Sequence, residues 1–355
     1  MSSGFQQIIA ASVADRADLY LAAARRIGTP IGNIEKDFWI CWTLEQLFHR
    51  LPAESPRLLF KGGTSLSKAH GLIRRFSEDI DISVFRDDLG ESHTVAQLET
   101  LSAKKRQVRL DALRDMCRAF ISGPLRAGLQ EALHGVTDGQ GTVRMDSDDP
   151  DGQTVLLAYP SVASTGDPYV RPVVRIESGA KSALDPHRPA VIRPFVADDI
   201  VTADLTVRDV TTIEPTRTFW DKVVIIHGLR RWFERRGLLR QEGQRVSRHY
   251  YDLFCLLESP LGPVASRDLL LGADCVRHAR LFFDRPDYDL RSASIGAFAL
   301  TPTTAMRSAL LRDYQAMSGM IFGRAPAFDD ILDALRDFEQ TLVASAVAWP
   351  RPAAR

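Results

Sequence analysis

The sequence predicts an α+β fold, because short strand-like runs in the middle of the chain lie between two regions with helical patterns. The chain has 355 residues, of which 45% are hydrophobic, and this is enough for a packed core and for two lobes. We therefore expect N-terminal helices over 1–57 that pack on an α/β core over 58–210, followed by a helical lobe over 211–355.

The first strand of the core is predicted at 57–60, where the apolar run "RLLF" is followed by two glycines. Residues 5–50 before it have helical spacing, and "TSLSKAHGLIRRF" (64–76) after it reads as a short helix. The run "DIDISVF" (79–85) alternates polar and apolar residues, which is typical of a strand. Helical spacing returns over 95–133.

A turn-rich loop follows at 137–153. Its aspartates do not have the spacing of a calcium loop, which favours a solvated hairpin tip. Three further strand-like runs are "TVLLAYP" (154–160), "PVVRIES" (172–178) and "VIRPFV" (191–196). Most of the chain from 214 onward has a helical pattern.

The charges of the chain are balanced, since 45 basic and 45 acidic side chains give a formal net charge of zero. This argues against a protein that coats nucleic acid, but it is compatible with a local basic groove. Four scattered cysteines form no Cys-x-x-Cys pair, which favours reduced thiols over a disulfide framework or a zinc site. The N-terminus has no signal-peptide pattern, and no window reaches the roughly 18 apolar residues of a membrane helix. We therefore expect a cytoplasmic protein without membrane contact.

Asp79 and Asp81 lie two residues apart on a predicted strand, so their carboxylates project from the same face. Aspartate is disfavoured in strands, and two like charges this close repel each other unless a cation compensates them. A hard divalent cation such as Mg²⁺ prefers oxygen ligands and could supply that charge. The alternative is an exposed edge strand with solvated aspartates.

A glycine–hydroxyl turn, Gly62-Gly63-Thr64-Ser65, precedes the aspartates by about 15 residues. Glycines let a backbone approach a phosphate closely, and a helix that starts at Thr64 or Ser65 would offer free N–H groups and hydroxyl donors. The segment is not a Walker loop, because the GxxxxGK[ST] pattern is absent. A phosphate-binding turn beside a metal-binding pair predicts the transfer of a nucleotidyl group.

A third carboxylate is expected near the pair, and Glu177 is the first candidate. It is the only acid in the three later strand-like runs, and it alternates with the apolar residues Val174 and Ile176. The alternative is a surface residue at the end of a strand.

Four motifs together resemble those of one family. The segment "KGGTSLSKAHGLIRRFSEDIDIS" (61–83) resembles the glycine–hydroxyl and Asp-x-Asp motifs of the AbiEii/AbiGii-type nucleotidyltransferase toxins, within the DNA polymerase β-like superfamily. "RTFWDKVVIIH" (217–227) is similar to the family's helical lysine motif, and "RHYYDLFCLLE" (248–258) to its late helix. "IEKDFWICWTL" (34–44) resembles its N-terminal helix.

The resemblance implies a polymerase β-like core, with a mixed sheet flanked by helices, and a C-terminal helical lobe. It also implies the metal-dependent transfer of a nucleoside monophosphate from an NTP to an acceptor such as the 3′ end of a tRNA. The protein would then be the toxin of a toxin–antitoxin or phage-defence system, with a separately encoded antitoxin protein as its partner.

The resemblance also implies roles for single residues, carried over motif by motif. Gly62, Gly63, Thr64 and Ser65 would bind the triphosphate of the NTP. Asp79 and Asp81 would hold Mg²⁺ or Mn²⁺, with Glu177 as the third acid, although the family often has aspartate there. Lys222 would contact the triphosphate, and Asp252 would be an essential acid of the C-terminal lobe.

The residues of the second half allow plainer interpretations as well. Lys222 falls within an apolar helical stripe, where a lysine either extends to the rim or reaches an interior cleft. Asp252 lies in an apolar helix and needs a partner if it is buried, either an arginine or the active site. Seven arginines between 230 and 248 suit RNA or a triphosphate, or else a charged helix pair with Glu234 and Glu242.

Two other functions stay open at this point. One is a nucleotide-binding regulatory module that keeps the fold without catalysis. The other is phosphoryl transfer to a protein.

Overall fold

The computed structural model of the chain describes residues 4–90, 93–163, 171–240 and 245–348. The chain forms two compact units. The first unit comprises 1–71 and 75–213, and the second comprises 72–74 and 214–355. The division predicted from sequence, with its separate N-terminal part over 1–57, stays a prediction.

The described part of the first unit combines helices with one sheet. The helices are α1 (Gly4–Ile9), α2 (Val13–Ile27), α3 (Ile31–His49), α4 (Gly62–Lys68), α5 (Val95–Thr100), α6 (Ala103–Phe120) and α7 (Arg126–Thr137). The strands are β1 (Leu58–Lys61), β2 (Asp79–Val84), β3 (Thr142–Met145), β4 (Thr154–Ala158), β5 (Val173–Glu177), β6 (His187–Ile192) and β7 (Val207–Ile213). A π-helical turn at Ile121–Leu125 joins α6 to α7.

The strand order is β3-β4-β5-β2-β1-β7-β6. Strand β2 pairs with β5 in parallel and with β1 antiparallel, so the sheet is mixed. This confirms the predicted α+β class with a mixed sheet. The central position of β2 matters for function, because β2 carries both aspartates and has a neighbour on each side.

Helix α3 packs against the sheet, where it contacts β5 and β7. Its residues Phe38, Trp39 and Trp42 are almost wholly buried, and Trp39 stacks on Tyr159 with 5.2 Å between ring centroids. A helix that is apolar around most of its surface can only be stable in the interior of a domain. The burial of α3 therefore follows from its sequence.

Three predicted elements differ from the structure. Strand β3 lies inside the segment that the sequence predicts to be a loop. The sequence does not reveal this strand, because only Val143 of its four residues is buried and the alternation is too short to recognise. Helix α4 ends at Lys68 instead of extending to 76, and Gly71 takes a left-handed φ of 64° soon afterwards. The strand predicted at 191–196 is β6, which ends at Ile192 before Pro194, a residue that cannot donate a backbone hydrogen bond.

The described part of the second unit is helical. It contains α8 (Pro215–Arg236), α9 (Arg248–Glu258), α10 (Gly262–Ala265), α11 (Leu269–Phe282), α12 (Thr304–Met317) and α13 (Phe328–Ala348). Helix α8 contacts α9 and α11, and its Phe219 packs edge-on against Phe338 with 5.4 Å between ring centroids. No helix among the described residues of either unit is long and apolar enough to cross a membrane.

His227 of α8 is a buried structural residue of this unit. The backbone N–H of Ala299 donates to its Nδ1 at 3.1 Å, and its Nε2 lies 3.1 Å from the Ser292 hydroxyl. Burial, together with the nearby Arg231 charge, lowers the pKa of His227 to about 4. The ring is therefore neutral at physiological pH, with Nδ1 as an acceptor.

We predict that the neutral His227 makes stability depend on pH. Above about pH 6.5 the ring is neutral in both the folded and the unfolded chain, so it has no effect. Between about pH 6.5 and 4 only the unfolded chain gains the proton, so the free energy of unfolding should fall by up to about 1.4 kcal/mol per pH unit. Urea unfolding at several pH values measures this, and the comparison with His227→Asn isolates it, because the variant cannot titrate. Equal slopes for the two proteins would contradict the assignment.

Candidate active site

Strand β2 separates an apolar face from an acidic face. Ile80 and Ile82 are fully buried, whereas Asp79 and Asp81 are partly exposed on the opposite face. The apolar face anchors the strand in the core through the hydrophobic effect. The two carboxylates are thereby held on one rigid element and directed away from the core.

Strand β5 places Glu177 beside the pair. Its parallel register aligns Arg175 with Asp79 and Glu177 with Asp81. Because aligned residues of neighbouring strands project from the same face, all four side chains share the acidic face of the sheet. Glu177 is the last residue of β5 and its side chain is 43% exposed, so its role as the third acid stays a prediction.

Two acids of this face, Asp81 and Glu177, have a cation nearby. Lys61 Nζ lies 3.8 Å from Asp81 Oδ1, and Arg175 Nε lies 3.0 Å from Glu177 Oε1. Arg175 also approaches Asp146, whose Oδ2 is 3.3 Å from an Nη atom. Within the described ranges, no three His, Cys, Asp or Glu side chains are grouped closely enough to hold a metal ion. The protein therefore offers a pair of carboxylates with a third acid on the adjacent strand.

The glycine turn has no room for side chains. Gly62 has a left-handed φ of 79°, and a Cβ there would lie 1.9 Å from Asp81 Oδ2. A Cβ on Gly63 would lie 2.4 Å from an Nη atom of Arg75. The two glycines therefore let the turn lie directly against a carboxylate and a guanidinium.

The hydroxyls of the turn hold it in place. Thr64 Oγ1 donates to the carbonyl oxygen of Asp79 and lies 2.8 Å from Ser77 Oγ. Ser65 Oγ donates to the carbonyl oxygen of Gly62 at 2.9 Å. Both residues are buried. The Thr64 hydroxyl joins the turn to the start of β2, and the Ser65 hydroxyl closes the turn on itself. Helix α4 has only seven residues, so little of a helix macrodipole can act at this turn.

Lys222 and Asp252 meet in the second unit. Lys222 Nζ donates to Asp252 Oδ2 at 2.7 Å and lies 3.2 Å from His249 Nδ1. The Asp252 side chain is fully buried and that of Lys222 is 7% exposed. Lys222 thus reaches inward from α8 and is a partner of the buried Asp252.

The arginine-rich segment is largely compensated within its own unit. Arg230 and Arg231 pair with Glu234 at 2.8 and 2.9 Å, and Arg236 pairs with Asp287 at 2.6 Å. This agrees with the charged-helix interpretation for these arginines. Glu242, the other acid considered for that interpretation, lies outside the described residues.

Sequence reasoning missed three features near the candidate residues. His249 lies three residues before Asp252, the spacing of one helical face, and this could have indicated it. Arg75 is 4% exposed beside Gly63, and no pattern in the sequence indicates that contact. Glu35, Lys36 and Asp37 form a charged run in an apolar helix, which is a visible signal of buried partners.

Gly62→Ala should destabilise the protein more than a glycine replacement in open space. Gly28 is the matched control, because its φ is 76° and no atom lies within 4 Å of a Cβ there. Both variants have the backbone strain of a left-handed residue, but only Gly62→Ala displaces Asp81. We expect Gly62→Ala to lose at least about 2 kcal/mol more than Gly28→Ala in chemical unfolding. Equal losses would contradict the close approach.

Asp252→Asn should destabilise the fold strongly, by about 3 kcal/mol, because it leaves a buried ammonium without its counter-charge. The double variant Lys222→Met with Asp252→Leu should recover most of that loss, since buried ion pairs are replaceable by apolar side chains. Melting temperatures of the two variants and the wild type measure this. If Asp252→Asn melts like the wild type, the pair has no structural role.

Comparisons with known proteins show what most of this chain is similar to. A search of curated proteins finds no match. Among solved structures, MenT4, a nucleotidyltransferase toxin from Mycobacterium tuberculosis H37Rv, is similar at 16% identity and a TM-score of 0.49, covering 92% of this chain and 93% of that chain. The model of the family described as "Nucleotidyl transferase AbiEii toxin, Type IV TA system" matches residues 46–334. That range contains the motifs at 61–83, 217–227 and 248–258 but not the one at 34–44. Because the match spans most of the sequence, the chain belongs to the AbiEii family of nucleotidyl transferase toxins of type IV toxin–antitoxin systems.

Proposed function

We propose that this toxin transfers a nucleoside monophosphate from an NTP to an acceptor hydroxyl with the help of a divalent cation bound by Asp79 and Asp81. One observation carries the proposal: the carboxylate of Asp81 lies directly against the glycine turn at Gly62. A phosphate bound at the turn and a cation bound at the aspartates would therefore be neighbours. The family membership already implies an NTP substrate and an antitoxin partner.

The residues present fit a hard cation such as Mg²⁺ or Mn²⁺. Asp79 and Asp81 offer oxygen ligands from one face of β2. Mg²⁺ is usually held by one or two carboxylates together with substrate phosphates, so a cage made only of protein groups is not required. Glu177 on the adjacent strand would be the third acid, and its side chain would have to leave Arg175 to take that role.

In the proposed reaction the acceptor oxygen forms a bond to the α-phosphorus. The bond from that phosphorus to the bridging oxygen breaks, pyrophosphate leaves with the bonding electron pair, and the hydroxyl proton passes to water. A bound divalent cation neutralises phosphate charge and makes the hydroxyl easier to deprotonate. The backbone of Gly62 and Gly63, in a turn fixed by Thr64 and Ser65, would hold the triphosphate in line for this attack.

Lys222 would contribute positive charge to the triphosphate, as the family resemblance implies. Its buried hydrogen bond to Asp252 would fix the direction of the ammonium, which makes Asp252 essential through the lysine. His249 would support the same side chain from its other side. A fixed charge stabilises a leaving pyrophosphate without the cost of reorganisation.

We further propose that the acceptor is the 3′ end of an RNA such as tRNA, and that the toxin acts in the cytoplasm, in phage defence or in a related stress response. The family description as a toxin supports a target that the cell needs, and a modified tRNA 3′ end would block translation. A separately encoded antitoxin would counteract this effect.

The proposal predicts label transfer to RNA. Wild-type protein incubated with total RNA, Mg²⁺ and each α-labelled NTP in turn should label RNA, while γ-labelled NTP should not. Asp79→Asn and Asp81→Asn should reduce the rate by at least about a hundredfold, because both remove cation ligands. Their melting temperatures should be equal to or above that of the wild type, because a like-charge repulsion is relieved.

The matched control is Asp148→Asn, an exposed aspartate of the loop between β3 and β4, which should keep wild-type activity. Absence of transfer with all four NTPs by well-folded protein would contradict the proposal. Transfer of γ-label to a protein would favour phosphoryl transfer instead. Sequencing of RNA 3′ ends after expression in cells would identify the acceptor.

A further inference from the structure

Helix α3 buries three consecutive charged residues, Glu35, Lys36 and Asp37, which are 1%, 4% and 1% exposed. Successive helical residues point about 100° apart, so the three side chains leave the helix in different directions. Each therefore meets a different part of the first unit. The same helix is otherwise strongly apolar, which makes the run conspicuous.

Asp37 holds the end of the helix that begins with the glycine turn. Lys68, the last residue of α4, places its Nζ 2.7 Å from Asp37 Oδ1, and both side chains are at most 5% exposed. The backbone N–H of Phe195 donates to Asp37 Oδ2 at 2.6 Å, and the Lys68 ammonium lies 3.7 Å from the Phe195 ring centroid. The position of α4 is therefore fixed at its far end by a buried ion pair.

Lys36 holds the residue directly before the aspartates. Its Nζ donates to Glu78 Oε2 at 3.0 Å, and the Lys36 side chain is 5% exposed. Glu78 is the neighbour of Asp79, the first residue of β2. This pair therefore ties the start of the acidic strand to α3.

The Glu35 side chain contacts a different part of the first unit. It accepts the backbone N–H of Val162 at 2.7 Å and also a hydrogen bond from the Ser161 hydroxyl. Neither residue lies on β2 or on α4. Glu35 is thus equally buried and charged but is not connected to the candidate site.

Stability alone does not explain these buried charges. Each one loses its hydration, and burial raises the pKa of Asp37 although Lys68 acts in the opposite direction. Apolar side chains of similar volume often replace a buried ion pair without loss of stability. A directed hydrogen bond in addition sets a preferred angle and distance between the two elements that it joins.

We infer that Asp37 with Lys68, and Lys36 with Glu78, are positioning residues for the two halves of the nucleotidyl-transfer site. The inference rests on the proposed function. The first pair sets the glycine turn and so governs NTP binding. The second pair sets the start of β2 and so governs binding of the divalent cation.

The first test concerns NTP binding without any acceptor. Asp37→Leu with Lys68→Met removes the ion pair but keeps apolar volume; it should fold with a melting temperature moderately below that of the wild type, because the Phe195 N–H loses its acceptor. Calorimetric titration with NTP and Mg²⁺ should then show binding weakened about tenfold or more, because the turn is no longer fixed. If the double variant does not fold, Lys68→Arg and Asp37→Asn take its place. Lys68→Arg keeps both charges and should bind NTP nearly as the wild type does, whereas Asp37→Asn should bind it more weakly.

The second test concerns the cation. In Lys36→Met with Glu78→Gln, the Mn²⁺ affinity measured by electron paramagnetic resonance at saturating NTP should fall about tenfold. Glu35→Gln is the matched control for disturbance of the buried run. It should leave both the NTP affinity and the Mn²⁺ affinity unchanged, whatever its effect on melting.

The outcomes distinguish a failure of this inference from a failure of the proposed function. Wild-type affinities in both double variants, or equal losses in Glu35→Gln, would overturn the inference while leaving nucleotidyl transfer intact. A wild-type protein that binds no NTP would overturn the proposed function, and the inference would fall with it. Weak NTP binding in the first variant and weak Mn²⁺ binding in the second would support the division of roles.

Discussion

The position of the glycine turn in the first unit depends on the lack of side chains at Gly62 and Gly63. A methyl group at Gly62 would overlap Asp81, and one at Gly63 would overlap Arg75. The turn can therefore adopt this position only because both residues lack side chains. The contact also joins the two parts of the proposed site, since it places the candidate phosphate-binding turn against Asp81, a proposed cation ligand. A single steric constraint thus sets the spacing on which the proposed chemistry depends.

Buried ion pairs are a second feature of the structure, and they occur in both units. Lys222 with Asp252 and Lys68 with Asp37 are ion pairs that are almost wholly shielded from water. Such pairs recover their desolvation cost only when geometry is good and further hydrogen bonds complete them. His249 and the Phe195 N–H supply those additional contacts. The surrounding apolar core stabilises the fold, and the ion pairs fix the orientation of the side chains that form them.

The parts that sequence could predict are those in which a local pattern determines a contact. The alternation of Asp79 to Val84 indicated which side chains face the core. Glu177 was expected beside the pair because it is the only acid in the three later runs, and it does lie on a strand that pairs with β2. Strand β7 lies wholly outside the predicted runs, because its pairing with β1 joins residues about 150 positions apart. The contact of Arg75 with Gly63 could not be predicted, since it depends on how the chain between 68 and 79 folds back. Sequence patterns predict which face of an element is buried and whether its period is that of a helix or a strand. Contacts between residues that are far apart in the chain depend on packing instead.

The acidic face of the sheet contains basic side chains that offset part of its negative charge. Asp81 has Lys61 on one neighbouring strand, and Glu177 has Arg175 beside it on the other. The carboxylates are therefore only partly compensated. The strand register aligns Glu177 with Asp81 on the adjacent strand, and the Glu177 carboxylate contacts Arg175 of its own strand. In the proposed function, a bound cation would relieve the remaining repulsion and would compete with Lys61 and Arg175 for the carboxylate oxygens.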